Sequence, residues 1–429
     1  MKRKFILSSV ILLFGGLVTK VLGMFIKIIM TRNLGVDGTA LYMLLLPTFS
    51  LFISLGQIGL PIALSRLVAL GNKNNKNLYF SIIPILLLIN ILFSLFIIFS
   101  SSFISNNLLH NNSIRLGIIA IAFVIPFTSL SSICRSYFFG KEKMFPHTLS
   151  LIIENIIRLI FMWFILPIIN FLDIKYIVSI LVLSNIVSEL SSTIVLIFFL
   201  PKNASISISD LRPRKDYIYE SFKLGLPNVV SNLISSLSYF LEPVILSNIL
   251  LKLNFSSTYI VREYGIITGY IIPLLFLPSF FTLALSQAIM PYITREYLNK
   301  GYDNIKRRLL SVSIFILIIS VIIILIFEFY GKLLLLFLYK SYVGYKYLKI
   351  LAPVFVLQYL QSIFSFTLNG MGMVHDIFIY SIISSFVRIF VIIILCLLGF
   401  GIYSYIFSII INIIISTLYL INRVITYLN

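Results

Sequence analysis

The sequence predicts an all-α integral membrane protein with twelve transmembrane helices, arranged as two six-helix lobes around a central cavity. Three observations support this prediction. First, 60% of the 429 residues are hydrophobic and only 11% are charged, a composition far from that of soluble domains. Second, apolar runs long enough to cross a bilayer recur along the whole chain. Third, short sequence matches recur at one common offset, which indicates an internal repeat.

The first apolar run follows Lys2, Arg3 and Lys4, as in a secretory signal. It is too long for a signal and lacks a small-residue cleavage site, so we interpret it as the first span. The twelve spans are predicted at 7–30, 39–60, 78–101, 114–134, 148–169, 176–200, 222–250, 265–289, 309–330, 350–370, 376–398 and 402–425.

The polar segment 201–221 separates the spans into an N-terminal lobe, 1–200, and a C-terminal lobe, 222–429. We expect this segment to be a cytoplasmic linker. Residues 331–349 carry four lysines among leucines and tyrosines, a composition typical of a segment that lies at the membrane interface.

The basic residues predict the orientation of the chain. With the N-terminus in the cytoplasm, and with basic residues at the span ends counted in the adjoining segments, the inner segments hold 20 lysines and arginines and the outer segments hold 9. Cytoplasmic loops carry this excess in membrane proteins, so both termini are expected to face the cytoplasm. We expect a multi-pass protein of the cytoplasmic membrane. The net charge of +19 therefore reflects topology, and we expect no nucleic-acid partner.

The two halves of the chain match at an offset near 230. The matching pairs are Leu46-Pro47-Thr48-Phe49 with Leu277-Pro278-Ser279-Phe280, Pro61 with Pro291, Gly140 with Gly370, and Arg158 with Arg388. Because each half holds an even number of spans, the copies run in the same sense as parallel repeats. Two such bundles around a cavity are typical of an alternating-access transporter and not of a pore.

Two lysines lie inside the first span, where charge is costly and indicates function. Lys20 and Lys27 are seven residues apart, so they share a helix face and are separated by roughly 10 Å along the axis. Arg32 follows at the end of the span, before the turn expected at Gly35. This series of cations favours an anionic cargo. Alternatively, Lys27 extends to the lipid headgroups from the end of the span, which Lys20 cannot do as easily.

Further charges lie inside later spans. Glu154 and Arg158 have the spacing of a helical ion pair, and Glu189 in the sixth span is expected to complete a cluster with them. In the repeat, Arg388 matches Arg158 but Ser384 replaces Glu154, so Arg388 needs another partner. These residues are predicted either to form an ion network that locks each lobe or to provide a site for a coupling ion.

Glu242 directly precedes Pro243 in the seventh span. It is a candidate ligand for H⁺ or Na⁺, or a partner for a cavity lysine. Pro47, Pro243, Pro273 and Pro278 are predicted to interrupt their helices, and interruptions at matching repeat positions indicate a transport site. Gln57 and Asn232 are further candidate substrate contacts, although polar side chains of this size often only join neighbouring helices.

The sequence predicts no enzyme and no metal site or cofactor. Its three histidines are scattered, and it has no Walker A motif for ATP. We expect the membrane potential, with or without Na⁺ or H⁺ coupling, to supply the driving force.

Several stretches resemble the multidrug/oligosaccharidyl-lipid/polysaccharide (MOP) exporter superfamily, and within it the family of stage V sporulation protein B and related polysaccharide flippases. The stretches are Thr19–Gly23, Arg32–Tyr42, Gly59–Ala69, Ile153–Arg158, Tyr239–Pro243, Tyr264–Tyr270 with Leu277–Phe281, and Ala352-Pro353 with Gln358–Gln361. The resemblance implies a MATE-like fold whose first, second, seventh and eighth helices line a V-shaped cavity. It also implies movement of a lipid-linked sugar across the cytoplasmic membrane.

The sequence departs from the resemblance in two ways. Relatives commonly carry two further C-terminal helices, which in peptidoglycan-precursor flippases help to form a groove for the lipid tail. Those flippases also have an arginine on the second helix, where this chain has Thr-Phe-Ser-Leu-Phe-Ile-Ser after Pro47. The set of cavity cations is therefore expected to be smaller here.

The predicted function is a flippase that moves an anionic undecaprenyl-type lipid-linked saccharide, a polysaccharide or peptidoglycan precursor, from the cytoplasmic to the outer leaflet. The alternatives are a cation-coupled multidrug exporter of the same superfamily and a non-transporting scaffold for envelope assembly. The expected partners are the lipid-linked saccharide, membrane lipids and envelope glycosyltransferases, and we expect a monomer.

Overall fold

The computed structural model describes residues 2–70, 75–200 and 215–428, and its apolar runs are helical. Among these residues, eleven helices are long and apolar enough to cross a membrane. The first of them, Phe14–Gln57, contains two predicted spans joined through a kink. Eleven helices thus account for the twelve predicted crossings, and the prediction of an all-helical membrane protein is confirmed.

The chain divides into two compact units, Met1–Phe240 and Leu241–Asn429. The helices of the first unit are α1 (Lys2–Gln57), α2 (Leu60–Leu70), α3 (Asn75–Phe103), α4 (Arg115–Gly140), α5 (Met144–Ile169) and α6 (Ile174–Phe198). The division between the units falls inside α7 (Lys215–Lys252).

The remaining helices belong to the second unit. They are α8 (Ser257–Ile266), α9 (Ile272–Phe276), α10 (Ser279–Leu298), α11 (Tyr302–Tyr339), α12 (Tyr345–Leu351), α13 (Phe355–Gly370), α14 (Val374–Leu397) and α15 (Tyr403–Leu428). Residues 201–214 of the predicted linker lie outside the described residues, and the predicted lobe boundaries stay a prediction.

Gly35 separates the two spans of α1. Its φ of 64° and ψ of −165° are the only non-helical backbone angles inside α1, and this conformation is open essentially only to glycine. A straight helix of this length would extend roughly 84 Å, far more than a bilayer is thick. The expected turn at Gly35 is therefore present, and it allows one continuous helix to provide two spans.

The first half of α1 packs against its own unit through one stripe of side chains. Ile26, Met30 and Leu34, four residues apart, lie on the same face and are buried against Met162 on α5 and Leu181 on α6. This stripe fixes which face of α1 is covered.

The helix ends repeat at the predicted offset. α4 ends at Gly140 and α13 at Gly370, while α5 begins at Met144 and α14 at Val374. The two glycines also share a packing role. A Cβ at Gly140 would lie 2.5 Å from the carbonyl oxygen of Ser65, and one at Gly370 would lie 3.2 Å from another backbone oxygen, that of Met290.

Two of the four predicted helix interruptions are wrong. α1 continues through Pro47 and α7 continues through Pro243. An interior proline removes one N–H and crowds one carbonyl, which a helix can absorb by bending. Pro273 does follow a π-helical turn at Ile267–Ile271, and Pro278 lies between α9 and α10.

The interruptions therefore do not occupy matching repeat positions. In the first unit the break lies at Ile58 and Gly59, which have φ values of 44° and 64°, eleven residues beyond Pro47. In the second unit it lies at Leu277 and Pro278, the positions that match Leu46 and Pro47.

The predicted interfacial segment 331–349 is divided between two helices. Its first nine residues complete α11, which ends at Tyr339. Lys340, with φ of 55°, terminates that helix, and α12 begins at Tyr345 after Gly344, whose φ is 83°. The segment is thus a tight helical hairpin.

Candidate functional site

The two lysines of the first span lie on one face of α1, which is open around Lys20 and Gly23. Lys20 is exposed and Lys27 is half-buried, and the helix is continuous between them. Gly23 lies between them, and a Cβ there would meet nothing within 4 Å. The face beside Lys20 and Gly23 is therefore open, as a ligand-binding face must be.

Arg32 is exposed near the end of the same helix segment. It lies five residues after Lys27, which places it about 140° around the helix from the lysine face. The predicted series of three cations thus consists of two on one face and a third on another.

The first unit contains a buried ion network that joins three helices. Arg135 on α4 is ion-paired with Glu189 on α6, and its Nη1 lies 2.9 Å from Oε2 of Glu154 on α5. Ser131, one turn before Arg135, donates a hydrogen bond to Glu189 and accepts one of 2.6 Å from Arg135 Nη2. The side chains of Arg135, Glu154 and Glu189 are 13%, 9% and 10% exposed.

Arg158 completes the network from the other side. Its Nη2 donates a hydrogen bond of 2.7 Å to Glu154 Oε1 and one of 3.0 Å to Ser188 Oγ on α6. The predicted pair Glu154–Arg158 is therefore present. Glu189 lies in the same cluster, but Arg135 and not Arg158 holds it.

Arg135 is the member of this network that the sequence analysis missed. The fourth span was predicted to end at residue 134, which placed Arg135 in a cytoplasmic loop, whereas α4 continues to Gly140. A polar i, i+4 pair, Ser131 and Arg135, at the end of an apolar run was the available signal. With two arginines and two glutamates, the network is electrically neutral.

In the second unit, the arginine that matches Arg158 is paired with a glutamate from a different helix. The Nε of Arg388 on α14 lies 3.0 Å from Oε1 of Glu242 on α7. Glu242 is only 2% exposed. Arg388 also donates a hydrogen bond of 3.2 Å to the hydroxyl of Tyr405, which interacts with the Glu242 carboxylate as well. The partner that Arg388 required is thus Glu242.

Two predicted substrate contacts have structural partners instead. Glu242 is enclosed beside Arg388, so its carboxylate is not presented to a substrate or a cavity lysine. Gln57 donates a hydrogen bond of 2.9 Å to Ser132 Oγ and joins α1 to α4. Asn232 is exposed on α7, with its carbonyl accepting a hydrogen bond from Ser236, and its predicted role stays untested.

The lysines and arginines described above therefore fall into two groups. Arg135, Arg158 and Arg388 each lie against a glutamate. For Lys20 and Lys27, the described part of the chain contains no ion-paired acid. The described residues also contain no group of three histidines, cysteines or acids that could hold a metal ion.

Apolar helices of spanning length, with charges paired inside them, define a multi-pass membrane protein. The particular family follows from comparison with known sequences. The chain belongs to the polysaccharide biosynthesis protein family, whose family model matches residues 7–297, and to the MOP superfamily of membrane transporters. The model of a second family, MatE, matches residues 243–394. The predicted superfamily is thus confirmed, and its members are transporters and not enzymes.

Individual relatives agree with this placement. The chain is 28% identical over 397 residues to stage V sporulation protein B of Bacillus subtilis (strain 168), covering 90% of this chain and 77% of that protein. Two solved structures share the fold. One is the lipid II flippase MurJ in an inward closed conformation, with a TM-score of 0.72, 18% identity, and 98% of this chain and 87% of that one covered. The other is an inward-facing multidrug resistance MATE family transporter of the MOP superfamily, with a TM-score of 0.69, 16% identity and 95% of each chain covered.

Proposed function

We propose that this transporter is a flippase for a lipid-linked saccharide that carries a diphosphate. It moves the headgroup from the cytoplasmic to the outer leaflet by alternating access. The family supports a saccharide substrate, and the fold shared with a lipid II flippase supports a lipid-linked one.

The observation that carries the proposal is the contrast between the paired arginines and the two lysines of α1. An intramembrane cation that serves structure is held by a carboxylate, as Arg135, Arg158 and Arg388 are. Lys20 and Lys27 share a face that is open around Lys20 and Gly23, and neither lysine has such a partner among the described residues. An anion that arrives with the substrate supplies the missing negative charge.

In the proposed mechanism the diphosphate binds Lys20 first. The lysine ammonium group presents three donors and a compact charge, which suits phosphate oxygens. Lys27 lies two turns further along the helix, roughly 10 Å away, and receives the diphosphate as the exposure of α1 changes from one side to the other. The lipid tail stays in the bilayer throughout.

The membrane potential drives the proposed movement. The excess of lysine and arginine in alternate segments favours both termini in the cytoplasm. Each negative charge that moves outward through 100 mV then gains about 2.3 kcal/mol. A diphosphate headgroup carries enough charge for this term to favour the outer leaflet strongly.

The test is headgroup translocation in proteoliposomes that contain a lipid-linked peptidoglycan precursor. An enzyme added outside reports how much of the inner-leaflet pool becomes accessible, with and without an imposed potential. The variants are Lys20→Ala, Lys20→Arg and, as a matched control, Lys306→Ala, which removes an exposed lysine of α11. We expect potential-dependent access in the wild type and the control, loss in Lys20→Ala and partial rescue in Lys20→Arg.

Equal access with wild type and Lys20→Ala would refute the role of α1 as the anion-binding helix. If the wild type moves no member of a panel of lipid-linked saccharides but does export cationic drugs, the multidrug exporter is the correct function. Complementation of a deletion strain by a transport-inactive Lys20→Ala variant would instead indicate a scaffold.

A further inference from the structure

The hairpin formed by the end of α11 and by α12 carries a dense group of lysines and tyrosines. We name it the lysine–tyrosine surface, and its members are Lys332, Lys340, Tyr342, Tyr345, Lys346 and Lys349, with the fully buried Tyr347 beneath Lys346. All four lysines are exposed. None of them has an ion-paired acid in the described structure.

Three of the lysines are positioned over tyrosine rings. The Nζ of Lys332 lies 4.9 Å from the ring centroid of Tyr342, and that of Lys346 lies 4.6 Å from the ring of Tyr347. The Nζ of Lys349 lies 5.3 Å from the ring centroid of Tyr345. Significant cation–π contacts occur about once per 70–80 residues in proteins, so three within one hairpin indicate ordered ammonium groups.

The tyrosines are themselves fixed by the fold. Tyr345 donates a hydrogen bond of 3.2 Å to the carbonyl oxygen of Glu328 on α11, and Tyr347 donates one to the carboxylate of Glu263 on α8. Gly331 lets α12 approach α11 closely, because a Cβ there would lie 2.7 Å from Leu348. Lys332, Lys346 and Lys349 therefore stand on helices that pack closely together, while Lys340 lies at the turn that joins those helices.

The length of α11 places this surface at the level of the lipid headgroups. Residues 309–327 carry no charge and extend roughly 28 Å, which matches the hydrocarbon core of a bilayer. Lys332 lies five residues beyond this stretch, about 7 Å further along the axis. A headgroup layer is about that deep on each side of the hydrocarbon.

Apolar side chains lie directly beside the lysines on α11. Phe329, three residues before Lys332, and Leu333, directly after it, are 77% and 64% exposed. Together with the lysines they present apolar contacts for acyl chains next to cationic contacts for phosphate. This combination fits an amphiphile with an anionic head better than it fits a soluble anion or a protein partner.

We propose that the lysine–tyrosine surface binds the phosphate of an anionic phospholipid in the leaflet that surrounds this end of α11. Two acids lie nearby, Glu328 and Glu263, and the four lysines leave the surface with a net positive charge when both are included. Binding is a property of this surface alone and does not depend on the proposed flippase function. These four lysines are four of the nine basic residues assigned to the predicted outer segments, where basic residues are otherwise sparse, and a bound anionic lipid accounts for their clustering.

The test compares lipid retention by native mass spectrometry of the purified protein, with phosphatidylglycerol and phosphatidylcholine as probes. A variant with Lys332, Lys340, Lys346 and Lys349 changed to Gln is compared with the wild type. The matched control changes Lys300, Lys306, Arg307 and Arg308 to Gln, which removes the same charge at the opposite end of α11. A lysine near an anionic lipid is worth about fivefold in affinity, so two contacts to one phosphate predict a loss of about 25-fold.

We expect this loss for phosphatidylglycerol only, with a smaller loss in the control, since its basic residues also lie near headgroups but form no ordered group over tyrosine rings, and retained binding when the four lysines are replaced by arginine. The double variant Lys346→Gln/Lys349→Gln, on the exposed side of α12, repeats the test with a smaller risk of misfolding. An equal loss in the control, or no preference for phosphatidylglycerol in the wild type, overturns the proposal. Displacement of phosphatidylglycerol by an equimolar lipid-linked diphosphate also overturns it, since the surface would then serve the transported lipid.

Discussion

Removal of the Arg135 charge tests how the first unit is held together. Arg135 contacts two nearly buried carboxylates, those of Glu154 and Glu189. In Arg135→Gln, Glu154 keeps the hydrogen bond from Arg158, whereas Glu189 keeps only the hydrogen bond that Ser131 donates. Loss of one partner from a buried ion pair costs roughly 3–5 kcal/mol.

The expected effect is large enough to measure by thermal unfolding in detergent. For a unit of 150–250 residues, each kcal/mol corresponds to about 2–4 °C, so Arg135→Gln should lower the melting temperature by about 10 °C. The single tryptophan, Trp163, lies on α5 of the same unit and provides the fluorescence signal. Arg115→Gln is the control, because Arg115 is exposed at the start of the same helix.

The double variant Arg135→Gln/Glu189→Gln gives the sharper result. It removes one charge of each sign and leaves Glu154 with Arg158, so it should be more stable than Arg135→Gln alone. The reasoning is refuted if Arg135→Gln melts within 2 °C of Arg115→Gln. It is also refuted if the destabilisations of Arg135→Gln and Glu189→Gln, measured separately, simply add in the double variant.

Further predictions concern the close helix contacts and the second unit. Gly140→Ala should destabilise the protein by about 2–3 kcal/mol, and Gly370→Ala by about 1 kcal/mol, because the added methyl group meets backbone oxygen at 2.5 Å and 3.2 Å. Gly23→Ala, with open space around it, should be neutral or slightly stabilising. If Gly140→Ala had the highest melting temperature of the three variants in detergent and Gly23→Ala the lowest, these expectations would be contradicted. Glu242→Gln should cost about 3 kcal/mol by leaving Arg388 without its carboxylate, and Glu242→Gln/Arg388→Met should recover most of that loss. A double variant less stable than Glu242→Gln would show that the pair does not act as a unit.

The sequence alone determined the class of fold. Span length and apolar composition depend only on the thickness of the bilayer and on the need to satisfy backbone hydrogen bonds within each helix. The repeat was equally accessible, since Gly140 and Gly370 mark helix ends in both copies. Glu154 and Arg158 were paired correctly because their i, i+4 spacing on one helix is a local property.

The tertiary structure decided which charges are paired and which helices are interrupted. Arg135 joins Glu154 to Glu189, and Glu242 faces Arg388, because helices distant in sequence pack side by side. Such contacts depend on the rotation and depth of each helix, which apolar composition leaves undefined. Local propensity also misjudged Pro47, because a helix can bend around one lost hydrogen bond. The contrast between the arginines, which are paired with glutamates, and the lysines of α1, which have no ion-paired acid among the described residues, is thus visible only in the folded chain.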